Sequence, residues 1–541
     1  MNSWHMLLVL AGGLTLAACS APVAPREQPA PDQGPRRGGQ MNVRVATDPF
    51  DWDSSYAGKS VPNDQGVAYA TNSLLGFKSG PDVGYSQMIL RPELAEKWEV
   101  SADARTFTFH LRRGVKFVNL PPVNGRELTS ADVKWTYEYW TRTGEFKDKK
   151  LPQGQFDYMF EGMTGVETPD PYTAVVRFKE PFVPFLAYTA SEWDPIMAKE
   201  VYQQDLSLKD HLIGTGAFYL DTAASQKGSR WVWKKNPDYW DAGKPYLDEV
   251  RWLVLPDEAT LHAAFTAKQL DTISQIAYQD AKTVEASNPL AKLTRVVQPR
   301  GYHLYFSQAH PGPLKDVRVR QALTLSVDRE EINRGVSGGL GTWAVPGAMA
   351  GLFTDQEAHA LQPQDTARAK TLLAQAGYDN GFTLDWPYQA DETKANVAWY
   401  QLIQAQFKRV GVTINLHSLD KATQRARKYA GEYDLDSGVG LGGLEADIDS
   451  MLYGPYFSAS SGNWSKINDS ELDTLLQSTR RETNPAKRQE LLKASAKRIV
   501  DQAWGIELIY PPIWYAAQPW VEGFYPQFGN RAEHIEVWLN K

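Results

Sequence analysis

The sequence predicts an α/β protein built from more than one unit, and three observations carry that expectation. Runs with period-two alternation recur along the chain, amphipathic helical stretches separate them, and 541 residues exceed a single ordinary core. "RTFTFHLR" (Arg105 to Arg112), "TAVVRFK" and "RWVWKK" alternate apolar and polar side chains, so each reads as a strand with one buried face. "TSADVKWTYEYW" reads as a helix, because Thr129 or Ser130 can cap it and an acid follows in its first turn. "ARAKTLLAQAGY" sets Leu372, Leu373 and Ala376 on one face and stops at Gly377, whose missing Cβ suits a left-handed cap. "VAWYQLIQAQFKRVGV" runs to Gly411 and leads straight into "TINLHSL", the helix-to-strand step of an α/β layer.

Composition narrows the function. The net charge is −7 and no basic stripe interleaves with aromatics, so nucleic acid is not an expected partner. The 18 Trp and 25 Tyr exceed what a core needs, which points to an aromatic ligand surface beside ordinary packing. There is no H-E-x-x-H and no G-x-x-x-x-G-K-[ST], and the nine His are scattered, His303 and His310 being closest. Neither a metal, a cofactor nor an enzymatic activity is expected; a secreted hydrolase is the alternative that the scattered carboxylates leave open.

The N-terminus predicts export. "MLLVLAGGLTLAA" (Met6 to Ala18) is apolar, ends in small residues and is too short to span a bilayer comfortably, although "MNSWH" before it carries no Lys or Arg. Cys19, the only cysteine, follows in "LAAC", which resembles the lipobox of bacterial lipoproteins; that resemblance implies that residues 1–19 are a signal peptide whose cysteine is lipidated. With no second cysteine there is no internal disulfide. Residues 20–39, rich in Pro, Gly and polar side chains, read as a flexible tether.

Three stretches carry competing readings. "DVRVRQAL" with Asp328 and Arg329 offers a basic anion site or a solvated, ion-paired helix face, and the second is expected. "GTGAFYL" permits close backbone approach at Gly214 and Gly216, for structure or for lining a cleft. "DSGVGLGGLEADIDSML" (Asp436 to Leu452) has phosphate-cradle glycines at Gly438, Gly440 and Gly443, but Glu445, Asp447 and Asp449 follow at once. Three acids would repel a pyrophosphate, and the spacing is not that of a calcium loop. Asp447 or Asp449 is expected instead to cap a short helix at "SMLYG".

Six blocks occur in a fixed order: "RPELAEKWEVSADARTFTFHLRRGVKF", "TSADVKWTYEY", "LIGTGAFYL", "NPDYWDAGKPYLDEVRW", "DVRVRQALTLSVDREEI" and "AKTLLAQAGYDNGFTL". With the lipobox, they resemble the family 5 extracellular solute-binding proteins, the peptide-binding lipoproteins and periplasmic receptors of ABC importers. The resemblance implies an α/β, two-lobed periplasmic-binding-protein-like fold of type II, of the large class with an extra domain and discontinuous lobes joined by a hinge. By that analogy, residues 40–60, 195–299 and 512–541 form lobe I, 61–194 the extra domain II and 300–511 lobe III. It also implies a monomeric, non-enzymatic receptor, lipid-anchored at the cell envelope, that passes an oligopeptide or other small organic solute to permease subunits.

Site residues follow from the same resemblance. Peptide-binding members carry an Asp for the ligand ammonium where this chain has Leu444, and dipeptide binders an Arg for the ligand carboxylate where it has Ala390. Glu445 or Asp391 substitutes if the register shifts by one. A buried ammonium without a carboxylate costs several kcal/mol, so the expected ligand is a peptide gripped by its backbone, or an amine-free solute such as an oligosaccharide. Tyr56, Trp193, Tyr302, Tyr305, Trp386, Trp399 and Trp464 are the expected cleft aromatics, with Leu444, Glu445 and Asp447 on the ligand-facing loop.

Overall fold

The computed structural model describes residues 34–49, 51–53, 61–151, 154, 156–191, 193–297, 299–439, 447–528 and 534–541. Cys19, Tyr56, Leu444 and Glu445 lie outside the described residues.

The largest sheet collects strands from three distant parts of the chain. Its order is Lys292–Val297, Pro512–Ala517, Thr272–Ile276, Gln40–Val45, Glu249–Val254, Arg230–Lys235 and Phe218–Leu220. In "QMNVRV" the alternation turns Met41, Val43 and Val45 inward, and the strand runs parallel to Glu249–Val254, pairing Gln40 with Glu249 through Val45 with Val254. Trp233 and Trp252, both fully buried, pack with ring centroids 4.8 Å apart, and Tyr69 lies 5.5 Å from each. Tyr69 belongs to the helix Val61–Ala70, so this helix, assigned from sequence to the 61–194 unit, packs in the core of the large sheet. The chain passes it at "GTG": a Cβ on Gly214 would stand 2.3 Å from the Ala70 carbonyl, and one on Gly216 2.3 Å from that of Tyr69. The close backbone approach expected of "GTGAFYL" is therefore made against the end of this helix, the structural one of its two readings.

A second sheet is antiparallel, in the order Ala95–Val100, Thr106–Leu111, Thr173–Phe178 and Met163–Asp170. Helix Ser130–Thr141 lies against it, its first turn closed by the Asp132 carboxylate accepting from the Thr129 N–H at 2.9 Å. The core is aromatic: Phe107, Phe178 and Phe185 meet edge to face at 4.8 to 5.8 Å. It is continuous with buried residues of three later helices, Asp449–Tyr456, Ser470–Arg481 and Pro485–Gln502, through Tyr453, Leu472, Leu476 and Leu492.

The third body holds the three-stranded ladder Leu435–Val439, Tyr302–Phe306, Gly505–Glu507 and the parallel pair Phe382–Gln389 with Val412–Leu419, bridged by the helix Lys394–Lys408. Parallel pairing needs such a crossover. The 366–375 helix, Thr366–Gln375, ends as its sequence predicts, with Gly377 at φ +85°.

The "DVRVRQAL" expectation needs correction. Arg318 is exposed and bridges to Asp316, but Arg320 and Arg329 are 2% and 1% exposed. Arg320 donates to the carbonyls of Gln502, Leu314 and Lys315 and lies over Trp504; Arg329 donates to the Glu507 carbonyl and to Gln362. Together they make six hydrogen bonds to carbonyl oxygens where a solvated face would have used water, and burial lowers the two guanidiniums to about 10 and about 9.

Candidate functional site

The strand Tyr302–Phe306 separates core from cavity by its pleat. Leu304 and Phe306 are fully buried in the core, while His303 and Tyr305 point to the opposite face. Antiparallel pairing sets Asp436 beside Tyr305 on one flank and Glu507 beside His303 on the other. Two adjoining cavities lie on this face, below the helix Asp449–Tyr456. His303, Glu507, Tyr456 and Tyr510 line one, Asp436, Tyr433, Trp464 and Ser465 the other, and Tyr305 and Pro455 line both. The strand Leu435–Val439 feeds the segment 440–446, and the helix Asp449–Tyr456 begins just beyond it.

In the first cavity, the His303 ring packs on Tyr305 at 3.9 Å, its Nε2 is 3.4 Å from the Tyr456 hydroxyl, and its Nδ1 is 3.7 Å from Glu507. The Tyr510 hydroxyl donates to the Val345 carbonyl at 2.9 Å. Burial, with Glu507 nearby, holds the Tyr456 and Tyr510 phenols well above their ordinary range, so both are neutral hydrogen-bonding groups. In the second cavity, Asp436 is 1% exposed and pairs with the Lys428 ammonium, while Gln424 Nε2 donates to its Oδ1 at 2.9 Å. Desolvation raises the Asp436 carboxyl despite the lysine. Tyr433 and Ser465 hydroxyls lie 3.3 Å apart.

The far end of the segment is tied differently. Arg488 grips Asp447 with two nitrogens, at 2.8 and 2.6 Å, and Asp447 also accepts from the Asp449 N–H at 2.8 Å. Asp449, the first helical residue, is bound by Arg480 Nε and Nη2 at 3.0 and 2.7 Å and accepts from the Tyr188 hydroxyl at 2.5 Å. Arg480 also reaches Glu161 at 2.7 Å, which accepts from Tyr453 as well. The Asp449–Arg480 pair thus ties the helices Asp449–Tyr456 and Ser470–Arg481 together and, through Tyr188 and Glu161, to the four-stranded-sheet unit. Of the two capping candidates, Asp447 holds the amide that opens the helix, and Asp449 is spent on arginine.

A sequence model of the "Bacterial extracellular solute-binding proteins, family 5 Middle" matches residues 90–463, more than half of the chain. This chain belongs to that family. The Escherichia coli (strain K12) dipeptide-binding protein is 29% identical over 497 residues, 88% of each chain, and heme-binding protein A of Haemophilus influenzae is 28% identical over 84% of each. Among solved structures, AgaA in complex with agropinic acid, from A. tumefaciens R10, superposes with a TM-score of 0.78 at 25% identity, covering 93% of this chain and 99% of that one. The family 5 protein therefore has the two-lobed periplasmic-binding-protein fold of type II, and it is a binding protein for a solute, not an enzyme.

Among the described residues, no group of three or more His, Cys, Asp or Glu is arranged to hold a metal, and no helix is long and apolar enough to cross a membrane. Gly335 to Gly339, "GVSGG", has the spacing of a nucleophile elbow, but Ser337 ends the helix Arg329–Ser337 and is 1% exposed, where an elbow would present it at a strand-to-helix turn.

In this family 5 protein the structure unites some of the expected aromatics and separates others. Tyr305 and Trp464 line the second cavity together. Tyr302 stacks on Trp399 at 5.4 Å, and Trp386 packs on Trp399 at 5.7 Å. Trp386 and Trp399 are 0% and 1% exposed, so they are core residues with no face open to a ligand, and burial pushes the Tyr302 phenol up to about 12. Trp193 sits elsewhere, tilted on Phe156 at 4.8 Å in the second core. Asp447 is held by Arg488, and Asp391 pairs with Lys421. Sequence reasoning passed over His303, Lys428, Asp436, Tyr456, Glu507 and Tyr510. The alternation in "YHLYF" would have placed His303 with Tyr305; no local pattern marks Lys428 and Asp436, which meet only when helix and strand pack.

Proposed function

We propose that this chain is the lipid-anchored receptor of an ABC importer, tethered through Cys19, and that it captures an oligopeptide-like solute in the cleft beside residues 440–446. In this reading the large sheet, with the helix Val61–Ala70 in its core, forms lobe I (40–70, 195–299, 512–541), residues 71–194 the extra domain and 300–511 lobe III. Solute contacts to both lobes favour the closed state, which the permease recognises. The dipeptide-binding relative supports the peptide class.

One observation shapes the ligand: each described aspartate flanking the segment is already neutralised by the chain, Asp436 by Lys428, Asp447 by Arg488 and Asp449 by Arg480. With Leu444 in place of an acid, the reading is a peptide held mainly through its backbone. The same observation favours a second reading, an amine-free organic solute; a relative named for heme and a similar structure in complex with agropinic acid support it. A thermal-shift screen of free peptides, their N-acetyl forms and oligosaccharides separates the two, since a ligand at a hundredfold excess over Kd stabilises by about 2.7 kcal/mol. Stabilisation by peptides supports the first reading, by sugars alone the second. No shift with any solute, or turnover of one, sinks both.

A further inference from the structure

We propose that Asp436, with the rings of Tyr305 and Trp464, forms a cation subsite of the solute cleft that the chain's own Lys428 occupies, so that Lys428 selects against solutes bearing a primary ammonium. The inference rests on the receptor reading and adds the residue that sets its charge preference.

The geometry is that of a cation cage. The Lys428 ammonium pairs with Asp436 and stands 4.8 Å from the Trp464 ring centroid and 5.9 Å from that of Tyr305. A carboxylate backed by two π faces is an arrangement that binds ammonium groups. Tyr429 meets Trp464 edge-on at 5.2 Å and fixes the ring. Gln424 occupies Asp436 Oδ1, so Oδ2 is the oxygen aimed at the cation. Asp436, Tyr305 and Trp464 line one cavity, and Asp436 stands on the strand Leu435–Val439 paired with the Tyr305 strand.

The occupant is the exchangeable kind. Lysine is a point charge on a flexible stem, whereas a guanidinium holds a carboxylate by a two-pronged fork. Lys428 sits in the last turn of the helix Lys421–Ala430, where the helix end also favours a cation, and its side chain is 14% exposed. A solute ammonium entering this cage must displace a charge equal to its own, while a neutral or amine-blocked solute meets no such competitor.

The test uses the full chain with Lys428→Ala, Lys428→Met and Lys428→Ala/Asp436→Asn, each checked for folding by circular dichroism. Lys428→Met keeps the stem over Trp464 if the alanine variant does not fold. Millimolar n-propylammonium is expected to raise the Tm of the lysine variants, n-propanol is not, and neither should act on the wild type or on the double variant. In the same variants the affinity of a free-amine dipeptide relative to its N-acetyl form should rise by about tenfold, the scale of one charge-assisted hydrogen bond. Absence of a propylammonium shift in folded lysine variants overturns the cation cage. A shift without any change in the dipeptide ratio overturns its place in the cleft. The receptor reading fails separately, on the wild type, if no solute of the screen binds.

Discussion

The two ends of the segment that joins the strand Leu435–Val439 to the helix Asp449–Tyr456 carry aspartates paired in opposite ways. At the strand end, Asp436 meets one lysine inside an aromatic cavity. At the helix end, Asp447 and Asp449 are locked by Arg488 and Arg480, and the lock extends to Glu161 and Tyr188 of the neighbouring unit. Both arrangements neutralise a carboxylate, but only the guanidinium fork fixes its direction. One flank of the segment is thus built to hold position and the other to hold a charge that can be traded.

The largest expected effect lies at the helix end. Arg480→Met leaves Asp449 buried without its cation and should cost about 3–5 kcal/mol in urea unfolding, because an unpaired buried charge is far worse than no pair. A loss below the change for an ordinary surface site would mean that the Asp449 network is not a lock. Arg488→Met should cost less, about 1–3 kcal/mol, since Asp447 keeps the Asp449 amide as a partner.

The smallest effect is at the strand end and has a pH signature. The Asp436 carboxyl is raised in the folded protein, so below the ordinary carboxylate value its favourable contribution is fully present, and it is lost as pH rises through the raised value. Lys428→Met/Asp436→Asn removes that titration. Its Tm relative to wild type should therefore climb as pH rises from the ordinary carboxylate value through the raised one, toward neutral or stabilising. A difference that is flat or falls over that window would show that Asp436 is not desolvated.

Much of the fold was legible because its signals are local. The alternation of "RTFTFHLR", the Gly377 stop and the helix-to-strand step at Gly411 each depend on neighbours in sequence. The site was less so, because what decides it is non-local. Trp386 and Trp399 carry the same flat faces as Trp464, and only tertiary packing separates two core rings from one cavity ring. Asp447 looks like a ligand acid until Arg488, 41 residues away, closes on it. The arginines of "DVRVRQAL" read as a solvated face because the carbonyls that satisfy Arg320 come partly from Gln502, in a distant helix.

The central claim is that the cleft takes a solute without a carboxylate clamp for a free amine. The most direct measurement is calorimetric titration of wild type and Leu444→Asp with a dipeptide and its N-acetyl form. The account predicts that the wild type binds the N-acetyl form at least as well as the free dipeptide, and that Leu444→Asp reverses the preference. Tight binding of the free dipeptide by the wild type, with no gain from Leu444→Asp, would contradict it.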